Sequence, residues 1–108
     1  MNAPSPPLSR LLELTADAVQ AVRGGQSLTD WLARCSPDTR PGVQALAFHV
    51  LRWLGSATEL RARLAPKTPP PAVDALLVTA LALLWPVEGQ APPYAEHTLV
   101  DQAVSAAR

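Results

Sequence analysis

Apolar positions along the chain recur at helical spacing in six places. Between Val43 and Leu54 the sequence reads VQALAFHVLRWL, with Val43, Leu46, Ala47, Val50, Leu51 and Leu54 on one face. Phe48 and Trp53 flank that stripe and widen it, so the segment predicts a central helix that needs partners over most of its circumference. A first helix is predicted from about Ser9 to Arg23, with Leu8, Leu11, Leu12, Thr15, Val19 and Val22 as its stripe and Gly24-Gly25 as its stop. Ser27 with Asp30 three residues on resembles a capping box opening a short second helix, in which Leu28, Trp31 and Leu32 face inward. Ser36-Pro37-Asp38 breaks it, and Arg40-Pro41-Gly42 leads into the central helix.

Gly55 is expected to end the central helix, and Ser56 with Glu59 to open a fourth that reaches Leu64, with Leu60 and Leu64 turned to the core. Pro66 and Pro69-Pro70-Pro71 predict a stiff, extended linker. A fifth helix starts near Pro71, with Val73, Leu76, Leu77, Ala80, Leu81 and Leu84 as its stripe, and Pro86 stops it at Trp85. The matching stripes of the third and fifth helices predict that these two pack together as the hub. After a loop at Gly89 and Pro92-Pro93, a last helix from about Glu96 carries Leu99, Val100, Ala103, Val104 and Ala107. It reaches Arg108 with no stop signal, so the pattern reads as a bundle truncated at its C-terminus. The expectation is an all-α domain of five to six helices over 8–108, after a disordered lead-in at 1–7.

Composition agrees with this and narrows the classes. Of 108 residues 48% are hydrophobic, mostly alanine and leucine, which favours helix over sheet. No apolar run reaches the ~20 residues of a membrane span, and the polar, proline-rich start is no secretory leader. Cys35 is the single cysteine, which excludes an internal disulfide and fits a reducing, cytoplasmic setting. With two histidines and one cysteine there is no zinc-ligand pattern, and no glycine-rich phosphate loop occurs. No catalytic set, cofactor site or metal site is expected in this chain. Formal net charge is +0, but it is unevenly placed. From Arg34 to Lys67 six bases (Arg34, Arg40, Arg52, Arg61, Arg63, Lys67) oppose Asp38 and Glu59, a balance of +4. From Thr68 to Ala107 the four acids Asp74, Glu88, Glu96 and Asp101 meet no base, a balance of −4. Two readings fit the basic half: a face that tracks phosphates, or ordinary exposed helix charges. Arg52, on an almost wholly apolar helix, either pairs internally or projects from its rim. Trp31, Trp53 and Trp85 could stack on bases or pack in the core; Trp53, beside Arg52, is the one placed for stacking. His97 at the start of the last helix reads as a hydrogen-bonded side chain near a helix N-terminus.

Four segments resemble one known family in order. Phe48-His49-Val50-Leu51-Arg52 followed by Leu54 resembles the F/Y-G-V-L-R-x-L segment of NusB-like domains. Ala18-Val19 through Gly25-Gln26-Ser27-Leu28 resembles A-V-x-x-V-x-x-G-x-S-L, and Leu76–Trp85 resembles L-L-x-x-G-L-Y-Q-L-L-Y. His97 through Val104 resembles H-A-A-V-N-E-A-V. The nearest likeness is to the N-terminal domain of the RsmB (Sun/Fmu) rRNA cytosine-C5 methyltransferases. It departs at His49 and Ala80, where the family has glycine, and at Leu83 and Trp85. The resemblance implies a NusB-like helical bundle that docks ribosomal RNA for a downstream catalytic domain using S-adenosylmethionine. It also implies a further helix beyond the last one here. By resemblance Arg52 is an RNA contact. Arg40, Arg61, Arg63 and Lys67 join it on the charge argument, and Arg10 by its place in the first helix. The implied partners are ribosomal RNA and the protein's own catalytic domain, with a homodimer where the Val73–Leu84 stripe is left uncovered. The alternatives are a NusB-like transcription antitermination or protein-interaction module, and an independent small regulator.

Overall fold

The computed structural model describes residues 6–85 and 96–107, apart from the side chains of residues 96, 97 and 99. The expected stop at Pro86, the Gly89–Pro93 loop, most of the N-terminal lead-in and the roles of the His97 and Leu99 side chains lie outside that description. Among the described residues six helices follow in order: α1 (Leu8–Arg23), α2 (Leu28–Ala33), α3 (Arg40–Arg52), α4 (Leu54–Leu64), α5 (Pro71–Leu84) and α6 (Glu96–Ala107). Among the described residues there is no strand, and no helix is long and apolar enough to cross a membrane.

Local signals explain most of the boundaries. Gly25 takes φ 99 just past α1, a left-handed conformation that glycine adopts without a Cβ penalty. The Ser27 hydroxyl accepts a 3.4 Å bond from the Asp30 amide at the start of α2. Pro71 opens α5, where its missing N–H is no loss. Trp85, which precedes Pro86 in sequence, turns extended and ends it.

One boundary differs from expectation. Gly55 does not end α3, and Ser56 does not cap α4. The break falls at Trp53 (φ −111, ψ 13), whose amide bonds back to the Val50 carbonyl in a tightened last turn. Its own carbonyl then accepts from Ala57, so α4 starts at Leu54 with almost no linker. Leu54 therefore leaves the α3 stripe.

The hub is α1 with α5, not α3 with α5. Helix α1 packs on α2, α3, α5 and α6, and α5 on α1, α3, α4 and α6. The core consists of Leu11, Leu12, Ala18 and Val19 of α1, Leu32 of α2, Val43, Leu46 and Val50 of α3, Ala57 of α4, and Val78, Ala82 and Leu83 of α5. At Gly42 the backbone of α3 comes so close to α1 that a Cβ would sit 3.0 Å from a Leu11 methyl. Phe48, expected to widen the α3 stripe, is 56% exposed.

Helix α5 is turned relative to the predicted stripe. Its buried residues are Asp74, Ala75, Val78, Thr79, Ala82 and Leu83, while Val73 and Leu77 face solvent. The helix is apolar nearly all round, so spacing alone did not choose the face. The choice follows the small side chains, which permit close packing on α1, and Asp74, which is drawn to an arginine. That arginine, Arg61, replaces the expected Leu60 and Leu64 as the inward residue of α4 together with Ala57; Leu64 is exposed. In α6, Ala103 and Ala106 pack on the core and Val100 and Val104 do not. The Gln102 side chain accepts a bond from the Ser9 amide at 3.2 Å, tying α6 to the start of α1.

Candidate nucleic-acid interface

The six basic candidates divide by what their guanidinium or ammonium groups touch. Arg61 is buried. Its Nε lies 2.7 Å from Asp74 Oδ1, and its Nη1 donates to the Ala65 carbonyl at the end of α4. The Nε–carboxylate contact is a close charge pair rather than an aligned hydrogen bond. Arg23 reaches the other Asp74 oxygen at 3.4 Å. Asp74 thus holds two cations from two helices, and Arg61 is withdrawn from any solvent-facing set.

Arg40 is also committed. Its Nε donates to the Leu32 carbonyl at 2.9 Å, and its Nη2 to those of Cys35 at 2.7 Å and Ala33 at 3.5 Å. These carbonyls gather at the C-terminal end of α2, where a cation is favourably placed against the helix dipole. Arg40 therefore fixes the α2–α3 corner and is not a free phosphate contact.

The other four are exposed. Arg10 pairs with Glu13 at 3.3 Å and Arg63 with Glu59 at 2.7 Å, both solvent-exposed pairs that a competing anion displaces at little cost. Arg52 stands over the ring of Trp53, 5.7 Å from its centroid, and projects from the rim. Among the described residues no carboxylate pairs with Arg52, Arg34 or Lys67.

An open cleft gathers a set that charge counting did not single out. It has a volume of about 880 Å³ and lies between the start of α1 and the α2–α3 corner. Arg10, Arg34, Trp31, Gln26, Ser36 and Asp38 line it. Asp38 accepts a 2.6 Å bond from the Ser36 hydroxyl, which holds its carboxyl below the ordinary value. Trp31 is half-buried, so part of its ring contributes to the core and part to the cleft wall. Arg34 and Trp31 sit three residues apart on and just after α2, which places them on one face. That spacing was the available signal for this site. Cys35 also lines the cleft, its thiol 3.2 Å from the Thr39 hydroxyl. A smaller hollow, about 200 Å³, has Arg63 and Trp85 in its wall, with Glu59 beside Arg63.

The cleft thus offers two guanidinium groups, an aromatic face and polar side chains with donors. Such a surface can hold phosphates and stack a base. Among the described residues no group of three His, Cys, Asp or Glu side chains is placed to hold a metal ion. No protein-family model matches the chain, and no curated protein or solved structure matches it.

Proposed function

We propose that the chain is an RNA-docking module of the NusB-like kind, acting for the catalytic domain of an rRNA cytosine-C5 methyltransferase. The observation that carries the reading is the cleft that Arg10, Arg34 and Trp31 line together. Phosphates of a single-stranded loop would sit on the two guanidinium groups while an unstacked base lies on the indole. The sequence resemblance supports the class of target. The module itself is a binder and not a catalyst: methyl transfer and S-adenosylmethionine belong on this reading to the downstream domain, and no residue of this chain is assigned to either. Arg52, with Lys67 and Arg63 as further exposed cations, extends the contact beyond the cleft.

Binding of a short rRNA hairpin and of an unrelated RNA, each measured at two salt concentrations, tests this. Affinity is expected to fall steeply with salt. Arg10→Ala and Arg34→Ala should each lower the log–log salt slope by about 0.7–0.9. Trp31→Leu should weaken binding by about 1–3 kcal/mol without changing that slope. Absence of binding at low salt, or binding indifferent to all three substitutions, would refute the assignment.

A further inference from the structure

On another side of α1 runs a second, smaller groove, about 190 Å³, at the junction of α1, α5 and α6. Ala16, Leu76 and Ala106 form its apolar floor, and Val73 stands on its α5 wall. Val73 is 41% exposed, and one turn further along α5 Leu77 is 40% exposed, so the apolar surface continues out of the groove. The α1 wall has the opposite character. Glu13 and Asp17, four residues apart, both line it.

These two carboxylates are unequally served. Glu13 has Arg10 at 3.3 Å. Asp17 has no cation within ion-pair distance among the described residues. Partial burial, then the neighbouring Glu13, hold the Asp17 carboxyl above its ordinary value, and Arg10 only partly offsets this. An incoming cation would offset the Glu13 repulsion and give the partly buried Asp17 charge a partner.

We propose that this groove docks a basic amphipathic helix of a protein partner. Its apolar side chains would enter over Ala16, Leu76 and Ala106, and a lysine or arginine would meet Asp17. Charge selects this occupant over the others. A nucleic-acid phosphate would be repelled by Glu13 and Asp17. A second copy docked isologously would bring its own Asp17 toward the first, like charge to like. The α1 cleft and this groove use different residues, so the inference does not depend on the RNA reading.

The test uses the whole chain and an 18-residue helix-forming peptide of lysine and leucine, fluorescein-labelled, with a control peptide in which glutamate replaces every lysine. Anisotropy should show saturable binding of the lysine peptide only. Amide shifts in a nitrogen–proton correlation spectrum should map to Ala16, Val73, Leu76 and Ala106. Asp17→Asn with Glu13→Gln should weaken binding about three- to tenfold by removing two exposed charge contacts. Val73→Ser, at an exposed position, should weaken it while leaving the circular dichroism spectrum intact. Equal binding of the acidic peptide, shifts mapping elsewhere, or indifference to these substitutions would overturn the proposal. So would self-association of the chain that Val73→Ser abolishes, because the groove would then belong to a second copy.

Discussion

Asp74 lies on the buried side of α5 because two guanidinium groups meet it there. Removing one partner of such a pair costs more than the pair contributes, since the remaining charge stays buried. Arg61→Met is therefore expected to destabilise the protein by about 3 kcal/mol in urea denaturation, and adding Asp74→Leu should recover most of that loss. RNA affinity of the double variant should match the parent's, in contrast to Arg10→Ala. Asp17 gives the opposite case, a charge the fold disfavours. Its carboxyl titrates above the ordinary 3.8 in the folded chain, so the folded state binds the proton more tightly than the unfolded one. Stability therefore falls as pH rises from 3.8 through the raised value. Asp17→Asn should raise the melting temperature slightly at pH 7, and the gain should vanish below about pH 3.8, where both states are protonated. A gain that persists in acid would place its cause outside this titration.

At the scale of elements, α5 separates what spacing reveals from what it does not. Its limits are written in local chemistry, with Pro71 at one end and Trp85 before Pro86 at the other. Its orientation is not, because nearly every position is apolar. The decision rests on partners far away in sequence: Arg61 on α4 and Arg23 on α1 draw Asp74 inward, and small residues seat the helix on α1. The contrast can be measured with one chemistry. Leu83→Ala, at a fully buried site, should cost about 2–5 kcal/mol, whereas Leu77→Ala should cost about 1 kcal/mol or less. The reverse order, Leu77→Ala costing more than Leu83→Ala, would mean that α5 is turned as its apolar spacing suggested. The same logic applies to the site. The exposed cations Arg10, Arg52, Arg63 and Lys67 were legible as charges in a basic half or on the first helix. Arg40 and Arg61 were not distinguishable from them, because the carbonyls and the carboxylate they serve are set by tertiary packing. Trp31 and Arg34 were visible, but nothing local showed that the start of α1 would close a cleft over them.

Over the whole molecule, α1 is shared. Its Arg10 side opens to the cleft that suits anions, and its Glu13–Asp17 side to the groove that suits a cationic helix. The Arg10–Glu13 contact joins the two. A radius of gyration of 13.5 Å, against about 13 Å expected for this length, marks a packed body. The pairing of α1 with α5 also has a consequence in time. Arg23 ends one helix and Pro71 begins the other, so 47 residues lie between them. At about 5–20 residues per second, a ribosome takes roughly 2–10 s to make that stretch. During this interval α1 can gather α2 and α3, but the side meant for α5 stays bare. The nascent chain thus spends seconds with half of its hub open, within reach of chaperones and proteases, before the bundle can close.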